Sequence, residues 1–165
     1  MSGKWTQNNI PDQNGKVIVI TGANSGLGLE MSKILARKGG HIVMAVRNME
    51  KGEKARQEIL QDHASASLDL MQMDMGNLTS IRAFAEAFKA KYDRLDILMN
   101  NAGLMAIPRK ETADGFEMQL GVNHLGHFAL TGLLLDVIVN TPGARVHSVS
   151  SSAGYFGEIK FDDLN

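Results

Sequence analysis

The chain has 165 residues, 44% apolar and 21% charged, a balance that suits one soluble globular domain and excludes a disordered tail or a disulfide-stapled miniprotein. A net charge of −1 without any run of like charge leaves no electrostatic footprint for nucleic acid or an anionic membrane. The lack of cysteine removes disulfides, thiolate metal sites and a cysteine nucleophile together. Met1 to Gln7 carry no apolar signal core. The longest apolar stretch, Leu133 to Leu135 and Val137 to Val139, is broken by Asp136 and falls far short of the roughly 20 residues of a membrane span, so a cytoplasmic location is expected.

Short β-branched runs alternate with longer stretches of helical period, the pattern of βαβ units. Lys16 to Thr21 reads as a buried strand. The helix after it places Leu27, Met31, Ile34 and Leu35 on one face and Glu30, Lys33 and Arg37 opposite, and Gly39 and Gly40 end it. His41 to Val46 is a second strand, Glu50 to Gln61 a charged helix and Leu68 to Met73 a third strand. Ile81, Phe84, Ala85 and Phe88 then mark a helix to Tyr92, followed by a fourth strand, Leu95 to Met99. From Asp114 to Val139 the pattern predicts one long helix, apolar nearly all round and so buried on several sides. Pro142 and Gly143 stop it before a fifth strand, Ala144 to Ser150. Right-handed crossovers turn this succession into an open α/β parallel sheet of five strands, one domain over residues 1–165.

Chemistry gathers at the carboxyl ends of these strands. Thr21, Gly22, Ala23, Asn24, Ser25, Gly26, Leu27 and Gly28 span the first strand-to-helix turn, where backbone amides and the helix dipole can meet a pyrophosphate. The spacing Gly-x-x-x-Gly-x-Gly differs from the usual Gly-x-Gly-x-x-Gly fingerprint, and plain loop chemistry is the competing reading. A dinucleotide site carries an acidic residue for the ribose of NAD, or a basic one for the 2′-phosphate of NADP, about 20 residues further on. Arg47 ends the second strand here, so NADP is favoured over NAD, with a solvated surface arginine as the alternative.

The Thr21 to Gly28 turn, together with Asn100, Asn101, Ala102 and Gly103 after the fourth strand, resembles the short-chain dehydrogenase/reductase family. The resemblance implies a Rossmann-type doubly wound parallel sheet of five strands in the order 3-2-1-4-5, with Asp74 contacting the adenine and the Asn101, Ala102 and Gly103 turn beside the adenosine ribose. It further implies that Asn123 holds a catalytic water and that Ser151, three residues before Gly154, binds the reacting carbonyl or hydroxyl. An adjacent serine could be the true match for Ser151. His124 and His127 match no catalytic role and read as structural. Asp114-Gly115-Phe116-Glu117, Asn123-His124-Leu125-Gly126-His127-Phe128 and Phe161-Asp162-Asp163-Leu164 look like the branch of retinol dehydrogenases and the WW-domain oxidoreductase. That branch works on lipophilic alcohols and carbonyls, usually with NADP.

The family's chemistry also needs a tyrosine with a lysine four residues on, because free phenol is about three units too weak an acid at neutral pH. No Tyr-x-x-x-Lys occurs: Tyr92 is followed at that spacing by Asp96, and Tyr155 by Ile159. Two readings stay open, the cofactor-binding front part of an oxidoreductase and a non-catalytic nucleotide-binding or interaction protein. The resemblance also makes the 114–139 helix a place where two copies would meet.

Overall fold

The computed structural model describes residues 5–155 and 157–163. Met1 to Lys4 and Leu164, which figure in the leader and branch readings, lie outside the described residues. The strands β1 (Val17–Thr21), β2 (His41–Val46), β3 (Leu68–Gln72), β4 (Ile97–Asn100) and β5 (Arg145–Ser148) form one parallel sheet in the order β3-β2-β1-β4-β5. This is the predicted order, and the strands differ from expectation only at their ends.

Both faces of the sheet are covered at β1 and β2, which is why these strands read as nearly continuous apolar runs. Ile18, Ile20, Ile42, Met44 and Val46 point to one side and pack with Leu35, Ala55 and Ile59 of α1 (Gly26–Arg37) and α2 (Met49–Asp62). Val19, Val43 and Ala45 point to the other, against Phe84 and Phe88 of α3 (Leu78–Lys91). The chain moves outward from β1 to β3 and returns to β4 on the far side of β1, so the direction of winding reverses between β1 and β4. Open α/β sheets bind their ligands at the carboxyl ends of such a switch point.

Two expectations change. The apolar face of α1 holds for Leu35 and for Met31, which packs partly buried against the same core, while Leu27 is 66% exposed and the other buried positions are Gly28, Ser32 and Ala36. The helix begins only at Gly26, so Leu27 sits in its first turn, beyond the end of the sheet that would have covered it. Lys33, expected to face water, instead bridges α1 to α2 through Glu58 at 2.5 Å.

The long helix from Asp114 to Val139 is a series of segments: α4 (Met118–Leu120), a π-helical turn (Gly121–Leu125), α5 (Gly126–Leu133) and α6 (Leu135–Asn140). Residues before Met118 form a turn, and Glu117 stops any earlier helical start by accepting the N–H groups of Gln119 and Leu120 with its own side chain. Leu134, at φ −100° and ψ 2°, separates α5 from α6. Nor is the helix buried all round. Leu130 and Leu134 are in the core, but Phe128 is 75% exposed and Leu135 and Val139 are exposed too, beside an edge strand β5 that faces water along its length. No helix among the described residues is long and apolar enough to cross a membrane.

At the opposite end of the sheet, His41 of β2 meets Ser67 through Nδ1 at 2.6 Å and the Tyr92 hydroxyl through Nε2 at 3.0 Å. Tyr92 donates to Asp69, which also takes Lys91 Nζ at 2.5 Å. This polar cluster fastens the end of α3 to β2 and β3.

Candidate functional site

The hub of the site is the hydroxyl of Thr21, fully buried at the end of β1. Its Oγ1 accepts the backbone N–H groups of Asn101 at 2.9 Å and Ala102 at 2.8 Å, and Asn101 Nδ2 donates back to the Thr21 carbonyl at 2.8 Å. The turn after β4 is thereby bolted to the end of β1. Gly22, at φ +67°, takes a left-handed conformation that costs other residues dearly, and a Cβ there would come within 3.1 Å of Ala102 Cα. At Gly28 a Cβ would lie 2.3 Å from the Gly22 carbonyl oxygen. The turn thus folds back onto the first turn of α1, leaving a cradle that side chains would fill.

Ser25 precedes α1 with extended backbone and offers no side-chain cap. The first N–H groups of this 12-residue helix are therefore available to an anion from outside, at the end where the helix dipole is positive. Asn24 is half-buried within the turn and Ser25 exposed. Arg47 follows β2 at the same end of the sheet; it is exposed and makes no ion pair among the described residues. Asp74 stands after β3, half-buried, its N–H given to Ser80 Oγ and its Oδ1 accepting from Gly76 N–H, both at 2.9 Å.

Asn123 projects from the π-helical turn and grips the backbone of Leu104 in both directions, accepting its N–H at 2.9 Å and donating to its carbonyl at 2.8 Å. That side chain is thus engaged in shaping the loop. Ser151 is exposed past β5 and lines, with Asn101, Ala102, Gly103 and Asn123, one cleft of about 820 Å³. The structure brings these five together, and it sets the glycine turn, Arg47 and Asp74 along the same sheet end without making them part of that cleft's wall. Asn100 also reaches the cleft. Its Nδ2 donates to Thr131 and Ser148, while its buried Oδ1 has no partner among the described residues. A groove of about 610 Å³ at the other end of the sheet, beside Arg37, Lys38 and His63, contains none of the predicted site residues.

A family model for short chain dehydrogenases matches residues 16–162. The chain belongs to the short-chain dehydrogenase family. Its similarity runs to the retinol dehydrogenase branch: it is 50% identical over 150 residues to human retinol dehydrogenase 12, a stretch covering 91% of this chain and 48% of that protein. Human retinol dehydrogenase 13 is 47% identical over 151 residues, 92% of this chain and 46% of the relative. The chain spans about half the length of the curated relatives it matches. Among solved structures, an uncharacterised protein from Mycobacterium Paratuberculosis superposes with a TM-score of 0.85 at 43% identity, over 98% of this chain and 55% of that one. A Shigella flexneri short chain dehydrogenase complexed with NADP gives 0.76 at 25% identity, covering 88% and 63%.

Neither tyrosine is followed by a lysine four residues on. Burial and then the bond to Asp69 push the Tyr92 phenol above its ordinary range, away from neutrality. Tyr155 is almost fully exposed. His127, by contrast, does more than the sequence suggested. It is buried against the site, with Nε2 2.9 Å from Thr21 Oγ1 and Nδ1 3.1 Å from the Asn123 carbonyl, and burial holds it below the usual histidine value and neutral. The one signal of this in the sequence is its position four residues after Asn123, on the same helical face.

Proposed function

We propose that this chain forms the NADP-binding portion of a short-chain dehydrogenase/reductase that moves a hydride between NADP(H) and a lipophilic alcohol or carbonyl. The observation that carries the reading is the uncapped N-terminus of α1 facing a turn from which side chains are excluded at Gly22 and Gly28. Backbone amides can approach a pyrophosphate there without obstruction. Arg47 supports NADP over NAD, since its guanidinium suits a 2′-phosphate, and the Shigella relative solved with NADP agrees with that choice. On this reading Asp74 would contact the adenine and the Asn101 turn the ribose, as the family resemblance implies. When bound, the cofactor supplies the hydride; the residues of this chain hold and orient it.

Leu104, Met105, Phe128, Val146 and Val149 give the cleft an apolar lining beside the polar groups of Asn100, Asn123 and Ser151, which fits a lipophilic substrate bearing one oxygen. The names of the retinol dehydrogenase relatives point the same way. A second reading, dinucleotide binding without turnover, draws on the state of the two tyrosines: Tyr92 is locked to Asp69 and Tyr155 has no lysine at the required spacing. A cytoplasmic site of action and self-association through the face of α5 and α6 belong to the same proposal.

Titration of NADPH and NADH into the chain and into Arg47→Asp tests the reading. Loss of a charge-assisted contact worth about 1.5–3 kcal/mol and gain of a repulsion should reverse the preference from NADPH to NADH. Equal NADPH affinity before and after would remove Arg47 from the site. Binding of neither dinucleotide would overturn the reading as a whole.

A further inference from the structure

A hydroxyl has one proton to give and two lone pairs to receive. At Thr21 both lone pairs are taken, by the N–H groups of Asn101 and Ala102. Its proton must therefore go outward, and His127 Nε2 at 2.9 Å is a better acceptor than the Met99 carbonyl at 3.4 Å. Nε2 then carries no proton. The other ring nitrogen faces the Asn123 carbonyl, which can only accept, so Nδ1 holds the proton and donates it there at 3.1 Å. One tautomer satisfies every atom.

These bonds close into a ring. Thr21 holds Asn101 and Ala102, the chain runs on through Gly103 to Leu104, Leu104 is gripped on both sides by the Asn123 side chain, and His127 ties the Asn123 carbonyl back to Thr21. Without His127 the turn would be fastened at each end to separate elements, β1 and the π-helical segment, with no hydrogen bond between them among the described residues. Resting on the dinucleotide reading above, we infer that His127 is a positioning residue. As the neutral Nδ1–H tautomer it closes this ring and so fixes the Asn101 to Leu104 turn against the glycine turn that receives the dinucleotide.

Two variants of similar length separate this role from packing. His127→Gln keeps an acceptor within reach of the Thr21 hydroxyl; His127→Met fills the same space without one. NADPH titration should show His127→Gln within about threefold of the wild type, and His127→Met weaker by about 5- to 10-fold, the loss typical of one neutral hydrogen bond. Nitrogen-15 NMR of the histidine-labelled wild-type chain should show the His127 ring protonated at Nδ1 and bare at Nε2. The Asn101, Ala102 and Leu104 amide signals should move in His127→Met and stay near their wild-type places in His127→Gln. Equal binding by the two variants, or an Nε2–H ring in the wild type, overturns the assignment. If the wild type binds no dinucleotide, the reading of the site fails instead, and the nitrogen spectrum still decides whether the ring exists. Should His127→Met not fold, that same spectrum and the amide signals of His127→Gln carry the decision: a displaced Leu104 and Ala102 in a well-folded His127→Gln would overturn it.

Discussion

Gly28→Ala is the substitution for which the structure makes the sharpest demand. An added Cβ would stand 2.3 Å from the Gly22 carbonyl oxygen and 2.7 Å from Asn101 Nδ2, against an ordinary contact of 3.4 Å or more. The first of these atoms is backbone in a turn already held by its neighbours, so it cannot swing aside as a side chain would. Moving it by roughly 1 Å is overpacking, worth about 1–3 kcal/mol, and loosening the Asn101 to Thr21 bond adds about 0.5–1.5 kcal/mol. Alanine's better helix propensity returns about 1 kcal/mol. The net is a loss of about 0.5–3.5 kcal/mol, which for a domain of this size lowers the melting temperature by about 1–14 °C. Gly132→Ala is the matched control, because Gly132 lies in α5, is exposed, and an added Cβ there meets nothing within 4 Å. It should stabilise by about 0.5–1 kcal/mol. Thermal unfolding followed by circular dichroism measures both, and NADPH binding should weaken in Gly28→Ala alone. A Gly28→Ala chain as stable as the wild type, with unaltered NADPH affinity, would show that the turn relaxes freely and that the close approach has no function.

Purified alone, the 165-residue chain should show no more than trace oxidation of retinol with NADP, since positioned proton transfer is worth about 10²–10⁴-fold and neither tyrosine is placed for it. Robust turnover abolished by Tyr155→Phe would contradict this. The exposed Phe128, Leu135, Val139, Val146 and Val149 should drive self-association, because each apolar side chain left in water forgoes about 1.5–3 kcal/mol. Light scattering should show species larger than one chain, and a strict monomer at all concentrations would refute the claim. Acid should act through Asp96: burial raises its pKa, but Arg94, the Val17 N–H and Lys16 outweigh burial and hold it below 3.8. Its contribution is then complete above the unfolded value and lost as pH falls through the lower folded one. Asp96→Asn should therefore be less stable at neutral pH and decline less below pH of about 4, and parallel curves for the two chains would exclude Asp96 as the cause.

Much of the architecture was legible before any coordinates because it depends on local pattern. Strands with both faces buried must be apolar throughout, and helices between them must carry a stripe, so the succession of elements follows from periodicity and the open parallel sheet from the handedness of crossovers, while the order 3-2-1-4-5 followed from the family resemblance. Gly22 and Gly28 could be identified as a close-approach turn from local pattern too: their spacing sits at the strand-to-helix junction where the chain folds back on itself. The 114–139 region was misjudged as a single helix because periodicity records which residues are apolar and not where Glu117 caps the backbone or where Leu134 leaves helical geometry.

What the sequence alone determined is therefore the fold class and the family, since each of these rests on motifs of residues adjacent in the chain. The tertiary structure alone decided how the strand ends are joined. Thr21 and His127 are 106 residues apart, and Thr21 and Asn101 are 80 apart. Nothing in the spacing of either pair shows that one buried hydroxyl receives two amides and gives its proton to an imidazole. A hydrogen-bond ring is satisfied by the donors and acceptors that packing brings within about 3 Å, and which ones those are is settled only when β1, β4 and the helix carrying Asn123 lie side by side.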